Sequence, residues 1–178
     1  SGSDTILERM RRRDKRDEII ATVQKLKAAI PHISLTTDMI VGFPGESNAD
    51  FELSYSLMQE LGIHKIHVFP FSVRPGTRAA FMKDHVAPEV KQARVQRLLD
   101  YNRQILSTWM EHWLGQEVDV LIETVNRLGL AKGYTKHYLR THLPSAQVEW
   151  RNTYQRARIV SVDLEQEVAI GEWVKTPE

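Results

Sequence analysis

Apolar residues recur with two different periods along this chain, and the changes of period mark its elements. In residues 15–30, Ile19, Val23, Leu26 and Ile30 share one helical face, and Pro31 stops the helix. From Ser34 to Phe43 the period is two. Leu35, Thr37, Met39 and Val41 alternate with Ser34, Thr36, Asp38 and Ile40. The apolar, β-branched end of this run predicts a strand covered on both faces, and Pro44-Gly45 breaks it. Ser47-Asn48-Ala49-Asp50 resembles a capping box with Asp in place of Glu. The helix it opens carries Phe51, Tyr55, Met58 and Leu61 and ends at Gly62. Ile63 to Phe71 reads as a second strand, with Ile66 and Val68 on one face and His67 and Phe69 on the other. Strand, helix and strand in this order form a βαβ unit, which implies parallel pairing.

A long helix is expected after Pro88, carrying Val90, Leu98, Tyr101, Ile105 and Trp109, with Gly115 as its stop. Beyond Gly115 the period is two again. Val118, Val120 and Ile122 alternate with Asp119, Leu121 and Glu123. Further strands are expected at Lys132–Leu143, Gln147–Trp150, Arg156–Val162 and Val168–Trp173, with turns at Asn126–Gly129, Pro144-Ser145 and Asp163. Five short strands in this span predict a small β-barrel. The expected division is an α/β portion over 1–115 and an all-β domain over 116–178.

Composition narrows the picture. The 178 residues are 42% hydrophobic and 26% charged, which predicts a folded chain with a real core. A net charge of +1 implies no nucleic-acid or membrane partner at the level of the whole chain, so any such signal is regional. No apolar run approaches a membrane span, and Ser1 to Arg16 has no signal-peptide core. The default expectation is a cytoplasmic protein with no membrane partner. There is no cysteine. That excludes disulfides, thiolate catalysis, Cys-ligated zinc and an all-Cys iron–sulfur cluster within this chain.

The candidate chemistry sits at strand ends. Asp38 to Glu46 ends a strand in a Gly/Pro turn, and ligands of α/β folds sit at the carboxyl ends of strands. Gly42 and Gly45 would let a ligand approach the backbone, and Glu46 could accept from a ligand hydroxyl or amine. A plain βα turn explains the same spacing, and neither a Walker loop nor Gly-x-Gly-x-x-Gly is present. Phe69 to Thr77 ends the next strand, where aromatics could stack on an adenine and Arg74 could hold a carboxylate or phosphate. A proline-stiffened surface loop is the plainer alternative. His64 and His67 are three apart on a strand and point to opposite faces, so no metal site is assigned; the same holds for His137 and His142. Arg9, Arg11, Arg12, Arg13, Lys15 and Arg16 form a basic run that reads as a solvated face or as a guide for RNA near a site's mouth.

The regional charge lies late in the chain. From Thr124 to Val160 there are seven basic residues, Arg127, Lys132, Lys136, Arg140, Arg151, Arg156 and Arg158, against Glu149 alone. Tyr134, Tyr138, Trp150 and Tyr154 are interleaved with them. A barrel with such a face is a nucleic-acid platform, unless the aromatics form its core. In one register Lys132, Tyr134, Lys136, Tyr138 and Arg140 share the outer side of a strand; in the other Thr135, His137 and Leu139 do.

These motifs together resemble one family. Ser1-Gly2-Ser3-Asp4 with Leu7, Met10 and Arg12 is similar to the Ser-Gly-Ser-Asp segment of radical SAM methylthiotransferases. Asp38 to Glu46 resembles that family's Asp-x-Ile-Val-Gly-Phe-Pro-Gly-Glu strand. His67 to Ser72 with Arg74-Pro75-Gly76-Thr77 and Ala79 is similar to its next signature. Gly133-Tyr134-Thr135 and Tyr138 resemble the start of the TRAM domain in the branch that modifies N6-threonylcarbamoyladenosine at tRNA position 37; Asp14 and His137 depart from the pattern.

The resemblance implies the C-terminal part of a radical SAM partial (β/α) barrel with parallel strands, then a small all-β, OB-like TRAM barrel that binds RNA. It implies a fragment of a tRNA methylthiotransferase acting at C2 of a modified adenosine, with S-adenosyl-L-methionine (SAM) and two 4Fe-4S clusters. The cluster cysteines would lie in a missing N-terminal region of the same polypeptide, so this chain alone is expected to be inactive and supplies no catalytic residue. The implied cofactor-binding residues are Ser3, Arg12, Asp38, Gly42, Glu46, Phe71, Ser72 and Arg74. The implied RNA-binding residues, on the tRNA anticodon arm, are Lys132, Tyr134, Lys136, Tyr138, Arg140, Arg156 and Arg158. The truncated barrel is expected to expose strand edges that invite pairing. The alternative is a free-standing RNA-binding protein whose α/β half is only scaffold.

Overall fold

Ser47 and Asp50 cap each other's backbone N–H groups at the start of helix α3 (Asn48–Leu61), and Gly62 closes that helix in the left-handed conformation. The helix is thus fixed at both ends by residues whose types announce it. The computed structural model describes residues 1–174 and divides into two compact units, Ser1–Ile105 and one that begins at Leu106.

In the first unit, helix α1 (Asp4–Arg9) is capped by Ser3, and helix α2 spans Arg16–Ala29. Strand β1 (Thr36–Val41) pairs in parallel with strand β2 (Lys65–Pro70), across the crossover made by α3. The register runs Thr36 opposite Lys65 to Val41 opposite Pro70, and Phe71 N–H extends the ladder to the Val41 carbonyl at 2.8 Å. Helix α4 (Pro88–Glu111) follows a short 3₁₀ segment at Arg78–Phe81. Its Asn102 accepts the Ile66 backbone N–H at 2.7 Å, satisfying a buried donor of β2.

The core of this unit joins Met39, Val41 and Ile66 of the sheet with Phe51, Leu57, Met58 and Leu61 of α3 and Leu98 of α4. Each fully buried aliphatic side chain here contributes about 1.5–3 kcal/mol. Only one face of β1 is covered, which corrects the expectation of a strand buried on both. Met39 and Val41 are buried, but Asp38 and Ile40 on the other face are exposed, as are His67 and Phe69 of β2. Helix α2 is likewise half covered: Ile19, Ile20 and Val23 pack against the core, while Leu26 and Ile30 of the same stripe are exposed.

The second unit is a closed five-stranded barrel of β3 (Glu117–Val125), β4 (Ala131–Thr135), β5 (Arg140–Leu143), β6 (Tyr154–Asp163) and β7 (Val168–Trp173). Around the barrel the order is β3-β4-β5-β7-β6, antiparallel except for the β5–β7 pair. That order is OB-like. Leu106, Met110 and Trp113 pack into its core with Val120, Ile122, Leu139, Leu143 and Ile159. The second compact unit thus begins at Leu106, inside α4. Gly133 has no room for a side chain, because a Cβ there would overlap the Leu121 carbonyl of the neighbouring strand.

Two strand expectations are corrected. Lys132–Leu143 is two strands joined by a tight turn, in which Thr135 Oγ1 accepts from the N–H groups of His137 and Leu139. Gln147–Trp150 is no strand, because Val148–Trp150 forms a 3₁₀ turn before β6. Among the described residues no helix is long and apolar enough to cross a membrane.

Candidate cofactor pocket and nucleic-acid face

Parallel pairing brings the ends of β1 and β2 to one edge, where two cavities share Asp38 and Ile40. The first, about 670 Å³, is bordered by Arg9, Arg12, Asp38, Phe43 and Met82 among others. The second, about 590 Å³, lies against Phe69, Phe71, Ser72, Arg74 and Thr77. Both volumes fall in the range of small-molecule sites. Phe71 is set by Phe43, edge-on at 5.3 Å, and by His85, stacked at 6.0 Å. The open face of the sheet lines the second cavity through Asp38, Ile40 and Phe69, while the first cavity also reaches Thr37 and Met39 on the covered face.

Of the residues singled out from sequence, Asp38, Phe71, Ser72 and Arg74 meet in one cavity, and Arg12 joins Asp38 in the other. Ser3, Gly42 and Glu46 line neither. Ser3 is buried; its hydroxyl caps α1 and donates to Asp50 at 2.5 Å. Glu46 was expected to accept from a ligand. Its side chain is only 1% exposed; one carboxylate oxygen accepts from Gly42 N–H at 2.7 Å and from Arg94 at 2.7 Å. Burial pushes this carboxyl above its ordinary range, against the opposing pull of the Gly42 N–H and Arg94. Gly42 has a φ of +74°, and the stem of Lys91 lies where its Cβ would be. The Lys91 ammonium donates to the Phe71 carbonyl at 3.3 Å, tying the two strand ends together.

A second clamp closes the same turn. Arg9 donates to the Pro44 carbonyl and to both carboxylate oxygens of Asp84, and the Asp84 carbonyl accepts from Gly45 N–H. Sequence reasoning missed Asp84, Lys91 and Arg94, since each acts on a partner 20 or more residues away. A local pattern carries no such signal.

On the barrel, burial alternates strictly along β4: Ala131, Gly133 and Thr135 face in, and Lys132 and Tyr134 face out. Lys136, Tyr138 and Arg140 are exposed as well, while Leu139 is buried. The register with tyrosines outside is therefore the observed one, although Lys136 and Tyr138 sit on the turn and not on a strand. His137 stacks on Trp113 at 4.6 Å, and Trp150 meets Trp173 edge-on, so these rings serve packing. Arg156 and Arg158 differ from the other cations. Both pair with Glu117 of β3, at 3.1 and 2.8 Å, and Arg158 also reaches Glu172. Glu117 lies outside the segment whose charge was summed, so pairing across strands was invisible there. Half-buried His142 has an unpartnered Nε2; burial lowers its pKa, helped by Lys132 and Arg140 and opposed by Asp163.

Residues 1–58 match the family model of the radical SAM superfamily. Over 162 residues the chain is 38% identical to a tRNA-2-methylthio-N(6)-dimethylallyladenosine synthase of Methylacidiphilum infernorum, covering 90% of this chain and 34% of that protein. Over most of its length the chain is similar to radical SAM methylthiotransferases. A synthase of the same name from Geobacillus kaustophilus is 42% identical, over 80% of this chain and 27% of that one. A threonylcarbamoyladenosine tRNA methylthiotransferase of Thermotoga maritima is 36% identical, over 79% of this chain and 32% of that one. The chain thus spans about a third of the length of these relatives. Among solved structures, the apo form of Mycoplasma genitalium RNase R gives a TM-score of 0.34 at 12% identity, covering 70% of this chain and 20% of that one. A likeness that low carries no argument.

Radical SAM methylthiotransferases use SAM and 4Fe-4S clusters. Clusters are held by thiolates, and this chain has no cysteine among its 178 residues. The chain therefore offers no cysteine ligand to a cluster. SAM is a different case. A cavity of about 590 Å³ with two phenylalanines, a carboxylate and a guanidinium suits a ligand that is part aromatic and part zwitterion.

Proposed function

We propose that this chain is the C-terminal part of a tRNA methylthiotransferase, formed by the back of a radical SAM partial barrel and an RNA-binding TRAM domain. The observation that carries it is the meeting of Asp38 with Phe71, Ser72 and Arg74 at the carboxyl edge of two parallel strands. In this reading Phe69 and Phe71 offer an adenine an apolar wall. Arg74 holds a carboxylate, and Asp38 accepts from amine or hydroxyl groups. Arg12 adds charge at the neighbouring mouth. Ser3, Gly42 and Glu46 fix the wall from behind. When bound, SAM supplies the reactive group; the protein's residues bind and orient it. The clusters belong to a preceding part of the polypeptide, and this chain alone is inactive.

Lys132, Tyr134, Lys136, Tyr138 and Arg140 form the RNA-binding face for the tRNA anticodon arm, with Arg156 and Arg158 at its margin. Gly133-Tyr134-Thr135 and Tyr138 support N6-threonylcarbamoyladenosine at position 37 as the base modified. The higher identity to the dimethylallyladenosine synthases favours the second reading, in which the base carries a dimethylallyl group.

The test is nucleoside analysis. The complete reading frame that encloses this segment is expressed in a host lacking tRNA methylthiotransferases, and its tRNA is digested and analysed by mass spectrometry. A methylthiolated adenosine is expected, and its side chain identifies the branch. Asp38→Ala and Arg74→Ala should abolish or sharply lower it. No methylthiolated nucleoside with the intact frame would end this reading and favour an RNA-binding protein on a non-catalytic scaffold.

A further inference from the structure

We propose that the outer face of β6, β3, β4 and β5 binds unpaired nucleotides by stacking bases on Tyr154 and Tyr134, with Arg140 and Lys132 on the adjoining phosphates. The inference rests on the RNA reading of the barrel and adds the form of nucleic acid that the face selects.

The register carries it. Tyr154 pairs with Leu121, Leu121 with Tyr134, and Tyr134 with Arg140. Directly paired residues of antiparallel strands point to the same side, so these four form one row across four strands. Neighbouring strands lie about 4.8 Å apart, which places the two tyrosines about 10 Å apart with Leu121 between them. Tyr154 is 67% and Tyr134 37% exposed, so both rings present apolar area that no protein group covers. In the next row Lys132 pairs with His142. The β4–turn–β5 segment carries Lys132, Lys136 and Arg140 and no acid, and among the described residues none of the three has an ion pair.

A third ring stands at the tip. Tyr138 is 78% exposed with a φ of +60°, an uncommon backbone state for a bulky residue. Hydrogen bonds from its N–H to the Thr135 carbonyl and from Leu139 N–H to Thr135 Oγ1 hold that turn. The strain is held in place and displays the ring.

Cations alone fit any phosphate backbone. Exposed rings add nothing to duplex binding, because paired bases keep their faces inside the helix; they add stacking when bases are free. The combination therefore favours a loop or single strand over a stem.

The experiment measures anisotropy of a labelled unstructured oligoribonucleotide and of a blunt duplex with equal phosphates, bound to this chain. The single strand should bind more tightly. Tyr154→Ala should weaken single-strand binding roughly ten-fold with the salt slope unchanged, and leave duplex binding as it was. Tyr154→Phe should keep the affinity. Equal or tighter duplex binding overturns the proposal. So does an unaffected Tyr154→Ala protein whose Lys132→Ala and Arg140→Ala counterparts bind less, and that outcome leaves the RNA reading standing. If neither nucleic acid binds, both readings fall.

Discussion

Arg94 Nη1 donates to Glu46 Oε2 at 2.7 Å and, from the same nitrogen, to the Glu46 carbonyl oxygen at 3.1 Å. One guanidinium thus fixes both ends of the residue that closes the turn after β1, while its other arm donates to Asn48 at 2.7 Å. Both side chains are almost fully buried. Removing one partner strands the other charge, which typically costs about 3–5 kcal/mol. Arg94→Met should lower the urea midpoint accordingly, and Arg94→Lys should recover little, because an ammonium cannot serve carboxylate, carbonyl and amide as a planar fork does.

The same variant has a pH signature. Burial already raises the Glu46 pKa from its ordinary 4.5, and losing Arg94 removes a force that opposes the rise. A folded-state value above the unfolded one means that the folded chain holds the proton longer. Stability is then greatest at acid pH and is lost as pH rises through the folded value. The gap between Arg94→Met and wild type should be smaller near the ordinary value than at pH about 8. An equal gap at both ends would mean that Glu46 does not carry the destabilisation.

Gly42 tests the same wall at the end of β1 itself. Its φ of +74° and the overlapping Lys91 stem are two separate objections to a side chain. Gly42→Ala should cost about 1–3 kcal/mol from backbone strain, with the steric clash added. In a Lys91→Ala background the clash is gone and only the strain remains. The double-mutant cycle should therefore show coupling; strict additivity would mean that Lys91 simply swings away.

His142 gives the barrel a pH-sensitive residue. Burial lowers its pKa from the ordinary 6.5, and Lys132 and Arg140 add to the effect. Between the folded and ordinary values the unfolded chain holds a proton that the folded chain does not. Stability is therefore fully present above about 6.5 and is lost as pH falls towards the lower folded value. Chemical denaturation at pH about 7.5 and about 5.5 should show a drop in wild type that is smaller in His142→Phe.

Much of this architecture is legible in local patterns. The Ser47–Asp50 box and Gly62 bracket α3, and the alternation of Val118, Val120 and Ile122 marks β3, because each depends on neighbours in sequence. The open face of β1 is not legible. Ile40 looks like a core residue by type, and only the absence of a layer over that face makes it pocket lining. The strand expected at Gln147–Trp150 failed for a related reason. Trp150 faces Trp173, and the Trp150 carbonyl closes a turn with Thr153 N–H, so tertiary packing overrides β propensity. At the pocket, Asp38, Phe71 and Arg74 come together as their strand ends implied, whereas the clamps on the wall, Arg94 and Lys91, lie far along the chain from what they hold.

Charge counting along the sequence gives every cation equal weight, and the barrel separates them. Arg156 and Arg158 face Glu117 across the β3–β6 pairing, while Lys132, Lys136 and Arg140 have no acid beside them on β4, the turn or β5. A paired arginine must give up its carboxylate before it can serve a phosphate, so it releases fewer counterions on binding. Each phosphate contact contributes about 0.7 to the log–log salt slope for single strands. Lys132→Ala, Lys136→Ala and Arg140→Ala together should flatten the slope by roughly two units and weaken binding to all tRNAs alike. Arg156→Ala with Arg158→Ala should change it far less. Glu117→Gln should steepen the slope, because it frees Arg156 and leaves Arg158 only its longer contact with Glu172. If the Arg156/Arg158 pair instead dominates the salt dependence, the binding face lies on β6 and β3, and the β4–β5 cations are bystanders.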